Sequence, residues 1–64
     1  MDLGYYSGIY NGHNMLGFEK GKKYNIEIDK KPNYPYEIYE ESGLYLIFSS
    51  EISINQYFKN LTKA

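Results

Sequence analysis

Tyr36-Glu37-Ile38-Tyr39-Glu40-Glu41-Ser42-Gly43-Leu44-Tyr45-Leu46-Ile47-Phe48 is the segment from which the architecture of this chain can be read. Its two arms, residues 36–40 and 44–48, are rich in aromatic and β-branched side chains, which suit a pleated surface. Between them, Glu41-Ser42-Gly43 is a three-residue connection with glycine where a left-handed residue is required. The segment therefore predicts a β-hairpin. Pairing Glu40 with Leu44 sets its register, with Tyr39 opposite Tyr45, Ile38 opposite Leu46 and Tyr36 opposite Phe48. One face then carries Tyr36, Ile38, Leu44, Leu46 and Phe48 and reads as core. The other carries Glu37, Tyr39, Tyr45 and Ile47; it is too apolar for open solvent, so either the chain covers it or it is an interaction surface.

Downstream of the hairpin, Ser53-x-x-Gln56 has the form of a capping box, with Ile52 and Tyr57 placed as a hydrophobic staple. Ile54, Tyr57, Phe58 and Leu61 recur at i, i+3, i+4 and i+7, which predicts a helix of about two and a half turns with one apolar stripe. So short a helix has to dock on a sheet. Upstream, Tyr24, Ile26 and Ile28 alternate with Asn25, Glu27 and Asp29, the pattern of a half-buried strand starting at Lys23. Lys30 to Pro35 contains two prolines and reads as loop, and the Tyr34-Pro35 bond is open to either isomer.

Gly4 to Tyr10 reads as a first strand, in which Gly4 and Gly8 mark a bulge or the close approach of a backbone or ligand. Asn11-Gly12 has the composition of a tight turn, Met15 to Phe18 of a short second strand, and Glu19 to Lys22 of another turn. With no repeat and no linker, residues 1–64 form a single domain. The expected class is α+β and mainly β. Its form is a small antiparallel sheet, or an SH3-like partly open barrel, of four or five strands with one short C-terminal helix.

The 64 residues include nine tyrosines and seven lysines, but no arginine, cysteine, tryptophan or valine. A chain of this size buries only about 60% of its unfolded surface and is marginal alone. Without cysteine it has no disulfide, and its one histidine cannot anchor a zinc site, so self-association is the expected source of further stability. A net charge of −1 lacks the basic excess of a duplex-binding protein, and bidentate readout of guanine has no arginine to perform it. The longest apolar run, Leu44 to Phe48, is far short of a membrane span, and Met1 to Gly4 does not resemble a secretory signal. The expected location is the cytoplasm, that of a bacterial host. Lys, Asn, Ile, Tyr and Glu dominate while Arg and Val are missing, the usage of a low-GC bacterium or its phage.

Catalytic constellations are thin. Cys–His chemistry has no nucleophile, and a serine triad would depend on His13 in a Gly/Asn-rich turn, a poor place to hold a base. Glu37, Glu40 and Glu41 lie close together but read as a solvated hairpin end. Gly4, Gly8 and Gly12 match neither a Walker loop nor a dinucleotide-binding turn. The expectation is a non-enzyme with neither cofactor nor metal.

Two features are left to carry function. Tyrosine combines a flat apolar ring with a hydroxyl and stacks on a nucleobase or packs in a protein interface. Five of the seven lysines fall between Lys20 and Lys31, but the strand from Lys23 to Lys30 is about 23 Å long at ~3.3 Å per residue and divides them between its two ends. Tyr6, Tyr10, Asn11, His13, Asn14, Lys22 and Lys23 are the candidate ligand-binding residues, with a lysine placed for a phosphate. Tyr39, Tyr45 and Ile47 form the candidate interaction face.

In size, residue usage and tyrosine-rich, glycine-spaced N-terminus, the chain resembles small phage-encoded anti-defence proteins. The resemblance lies in overall profile and in no aligned motif. It implies a homo-oligomer that sequesters a nucleotide-derived immune signal, such as a cyclic dinucleotide or an ADP-ribose derivative. Two alternatives fit the same profile: an inhibitor that binds a host or defence protein, as anti-CRISPR proteins do, and a small structural subunit of a phage particle.

Overall fold

A computed structural model describes residues 1–30, 32 and 35–64. Among these described residues, five strands and one helix follow in the order β1 (Gly4–Tyr10), β2 (Lys23–Lys30), β3 (Tyr36–Glu40), β4 (Tyr45–Phe48), α1 (Glu51–Tyr57) and β5 (Phe58–Lys63). The strands form one antiparallel sheet in the order β4-β3-β2-β1-β5. The sheet is open, with β4 and β5 as its two edges, and does not close into a barrel. Lys31, Asn33 and Tyr34 lie outside the described residues, and with them the Tyr34-Pro35 bond.

The hairpin takes the register its turn dictates, Tyr39 opposite Tyr45, Ile38 opposite Leu46 and Tyr36 opposite Phe48. Gly43, at φ 106°, supplies the left-handed residue, and the Glu40 N–H donates to the Leu44 carbonyl at 2.8 Å. In β2, Tyr24, Ile26 and Ile28 point into the core as their alternation requires. The core lies against one face of the sheet. It joins these residues to Tyr10, Ile38, Leu46 and Phe48, and is closed by Phe18, Ile54 and Phe58.

The C-terminal third differs from the helix its spacing predicts. Helix α1 starts three residues earlier, capped by Ser50, whose side chain accepts the Ser53 N–H at 3.2 Å; Ser53 is therefore inside the helix, and Ile52 is exposed rather than stapled. The helix ends at Tyr57, and the chain turns directly into β5, where Phe58 pairs with Tyr10 and Lys59 with Ile9. The pairing slips by one residue between Ser7 and Ile9. On β5 the extra residue is Asn60, held left-handed at φ 55°, the geometry of a bulge. The bulge turns both Phe58 and Leu61 toward the core, so a strand shows the i, i+3 spacing of a helix. Pairing along β1 wins over a longer helix because it satisfies backbone groups of β1 that would otherwise form an open edge. Gly8 is the complement of this bulge. A Cβ there would lie 2.8 Å from Leu61 Cδ2, so the space is occupied by the chain and not offered to a ligand.

Residues 11–22 fold over the end of the core. Met15 to Phe18 is a single bridge around a tight turn, not a strand. Phe18 is buried between Tyr10 and Tyr24, with ring centroids 5.2 and 5.0 Å away. Burial of this one ring contributes about 1.5–3 kcal/mol and pins the segment down.

Candidate functional site

The residues expected to hold a ligand do not gather around one cavity. Tyr10 is fully buried, and its hydroxyl donates to the His13 carbonyl at 2.7 Å, so it presents no surface to a ligand. Burial first, then the neighbouring Tyr57 and Tyr24, raises its phenol above the ordinary tyrosine range. Tyr10 belongs to the core because the even-numbered side of β1 faces inward. Tyr6, on the same side, is half-buried and donates to the Asp2 carbonyl at 2.6 Å. Asn11 donates its N–H to the Tyr57 carbonyl at 2.6 Å, and Asn14 Oδ1 accepts the Lys20 N–H at 2.7 Å. His13 is exposed.

The lysines divide as the strand length requires. Lys22 stands 3.5 Å from the Glu19 carboxylate and 5.9 Å from the Tyr24 ring. Lys22 and Lys23 line an open hollow of about 640 Å³ whose other wall includes Glu40 and Glu41, a mixed setting for an anion. At the far end, Lys30 lies 4.9 Å over Tyr36.

A different constellation is assembled on the open face of the sheet. Three registers place Tyr45 opposite Tyr39, Tyr39 opposite Glu27 and Glu27 opposite Tyr5, a continuous row across four strands. The Tyr39 and Tyr45 rings meet at 4.9 Å with an interplanar angle of 48°. Tyr5 is 65% exposed and Ile47 55%, with Tyr39 and Tyr45 each at 37%. Tyr5 and Tyr39 form the flanks of a groove of about 330 Å³, with Asn25, Glu27 and Glu41 along it. The carboxylates Glu27, Asp29 and Glu37 lie on this outward side, and the nearest lysine of β2 on it, Lys23, is at the opposite end, paired with Ile9.

Of the three hairpin carboxylates, Glu41 is exposed as the sequence suggests, but the other two are not part of a solvated end. Glu37 and Glu40 are each only 8% exposed. Glu37 accepts the Tyr39 hydroxyl, and Glu40 accepts the Ser42 hydroxyl and, at 2.9 Å, the Ser42 N–H. Each carboxylate is occupied in holding the hairpin. The hydrogen bond to Glu37, reinforced by partial burial and the charge of Glu37, pushes the Tyr39 phenol well above the ordinary tyrosine range.

Sequence reasoning found Tyr39, Tyr45 and Ile47 on this face but missed Tyr5 and Glu27. The alternation of β1 puts Tyr5 on the outward side, and only the β1–β2 register brings it level with Tyr39. No helix among the described residues is long and apolar enough to cross a membrane. Comparison with protein-family models, curated proteins and solved structures finds no match to the chain.

Proposed function

We propose that this chain is a non-enzymatic protein-binding module that takes a basic segment of a partner on the open face of its sheet. The observation that carries this reading is the row Tyr45–Tyr39–Glu27–Tyr5. A lysine or arginine side chain laid between Tyr5 and Tyr39 meets aromatic faces on both flanks and a carboxylate beneath. Each cation–aromatic contact contributes about 0.5–1 kcal/mol at an exposed site. Tyrosine and exposed apolar side chains are also the usual material of protein interfaces. A phosphorylated ligand in the same groove would face Glu27 and Glu41, and like charge opposes it.

Within the anti-defence role that the sequence profile resembles, this favours an inhibitor of a host or defence protein over a sponge for a nucleotide signal. The engagement of Tyr10 in packing, of Asn11 and Asn14 in hydrogen bonding and of Lys22 in an ion pair supports the same preference.

The test is a titration of the isotope-labelled protein, followed by amide chemical shifts, with an oligo-arginine peptide, a cyclic dinucleotide and ADP-ribose. The peptide should shift Tyr5, Glu27 and Tyr39, weaken with added salt, and bind Glu27→Lys at least about tenfold more weakly. Absence of any peptide response overturns the reading. So does a nucleotide response centred on residues 11–14 and 22–23, which would restore signal sequestration.

A further inference from the structure

The two edges of the sheet are built differently. β5 carries Lys59 and Lys63 and is bent by the bulge at Asn60. Charges and bulges are the devices that keep an edge strand from pairing with another chain. β4, at the other edge, has neither. Tyr45-Leu46-Ile47-Phe48 contains no charge, proline or glycine, and its register with β3 runs unbroken.

The hairpin also fixes which backbone groups of β4 are spare. Because the Leu44 carbonyl accepts from Glu40, the backbone of Leu44 faces β3, and by strand alternation so does that of Leu46 and Phe48. The N–H and C=O of Tyr45 and Ile47 therefore point away from the sheet. Among the described residues, no turn, loop or cap bonds to them. Their side chains stand on the outward face beside Tyr39, largely exposed.

We propose that β4 pairs antiparallel with β4 of a second copy of this chain, about a two-fold axis at Leu46, joining two sheets into one. In this register Tyr45 lies opposite the partner's Ile47, and Ile47 opposite the partner's Tyr45. Every outward N–H of these residues then meets an outward C=O. An aromatic ring packs on a β-branched side chain at both ends, a favourable cross-strand pair. No charged side chain meets another across the axis. The same operation on β5, centred at Leu61, would set Lys59 against the partner's Lys63, so the charge pattern selects β4. A two-fold contact also uses up the edge, where pairing β4 with β5 of the next copy would be open-ended. The Tyr5–Glu27–Tyr39 groove lies inboard of this edge, and the proposal does not depend on a basic partner binding there.

Sedimentation velocity from micromolar to millimolar protein, with amide hydrogen exchange at the same concentrations, tests the pairing. A concentration-dependent dimer is expected, in which the Tyr45 and Ile47 amides gain about tenfold or more protection and the Lys59 and Lys63 amides gain none. Two double substitutions read the register. Tyr45→Glu with Ile47→Glu sets like charges across the axis and should leave a monomer, whereas Tyr45→Lys with Ile47→Glu sets opposite charges there and should restore the dimer. A wild-type monomer at every concentration overturns the proposal, as does a dimer with unchanged exchange at Tyr45 and Ile47, or equal dissociation of the two folded variants. Should either variant fail to fold, the wild-type exchange pattern decides.

Discussion

The phenol of Tyr39 donates a hydrogen bond to the carboxylate of Glu37, two positions earlier on the same strand and on the same outward face. Glu37 is nearly buried, with Ile47 opposite it across the hairpin, so Tyr39 supplies the donor that water would otherwise provide. The same contact orients the Tyr39 ring against Tyr45 and fixes one wall of the groove on the open face. Structure and candidate function therefore meet in one hydrogen bond.

This bond makes stability depend on alkaline pH. The native state keeps the Tyr39 phenol protonated above the ordinary tyrosine range, and burial does the same for Tyr10. As pH rises above about 10, the unfolded chain releases these protons while the native chain retains them. The unfolded state then binds fewer protons, and stability falls through that window. Stability should thus be level near about pH 8 and decline toward about pH 11 in urea titrations. Tyr39→Phe should lower stability slightly at the lower pH, for the lost hydrogen bond, and flatten the decline. A decline of unchanged slope in the variant would show that Tyr39 does not carry it.

A second expectation concerns the turn over the core. Leu16, at φ 50°, and Gly17, at φ 91°, are the central residues of a tight turn closed by two backbone bonds between Met15 and Phe18, at 3.0 and 2.8 Å. Left-handed geometry at both positions favours Asn-Gly. A leucine there costs about 1–2 kcal/mol in steric conflict with its own backbone. Its side chain is 67% exposed and recovers little of this by packing. Leu16→Asn should therefore raise stability by about 1 kcal/mol with an unchanged denaturant slope. A loss of stability would reveal an apolar contact of Leu16 that outweighs its backbone strain.

How far the sequence revealed this molecule depended on whether a pattern had one physical cause or two. The β3–β4 hairpin was legible because its turn, its alternation and its glycine agree on one register. β2 was legible because Tyr24, Ile26 and Ile28 alternate with polar residues along the whole strand. β5 was not, because the bulge at Asn60 spaces Phe58 and Leu61 as a helix does. The helix start was misplaced for a related reason: Ser53 has the form of a cap in the sequence, but the Ser50 side chain is the one that accepts from the first turn. Of the site, Tyr39, Tyr45 and Ile47 followed from the hairpin alone. Tyr5 and Glu27 depend on the β1–β2 register, which is set across residues 11–22 by packing of Phe18 rather than by a readable turn.

Asn11-Gly12 shows how the same dipeptide can be kept for a different reason. Neither residue adopts positive φ, so the pair does not form the tight turn its composition suggests. A Cβ on Gly12 would instead lie 2.5 Å from Tyr57 Cδ2 and 2.6 Å from the Tyr10 hydroxyl. Tyr10 cannot withdraw, because it is fully buried and its hydroxyl is held by the His13 carbonyl. Tyr57 is packed against Phe48 at 5.1 Å, and its carbonyl is tied to the Asn11 N–H at 2.6 Å. Gly12→Ala should accordingly cost about 1–3 kcal/mol through overpacking and perturb the near-ultraviolet circular dichroism of the tyrosines. Gly21→Ala is the control: its Cβ would meet nothing within 4 Å, so its cost, about 1 kcal/mol from φ +88° alone, should leave that spectrum unchanged. If Gly12→Ala proves as stable as the unaltered chain, the Tyr57 ring has moved aside.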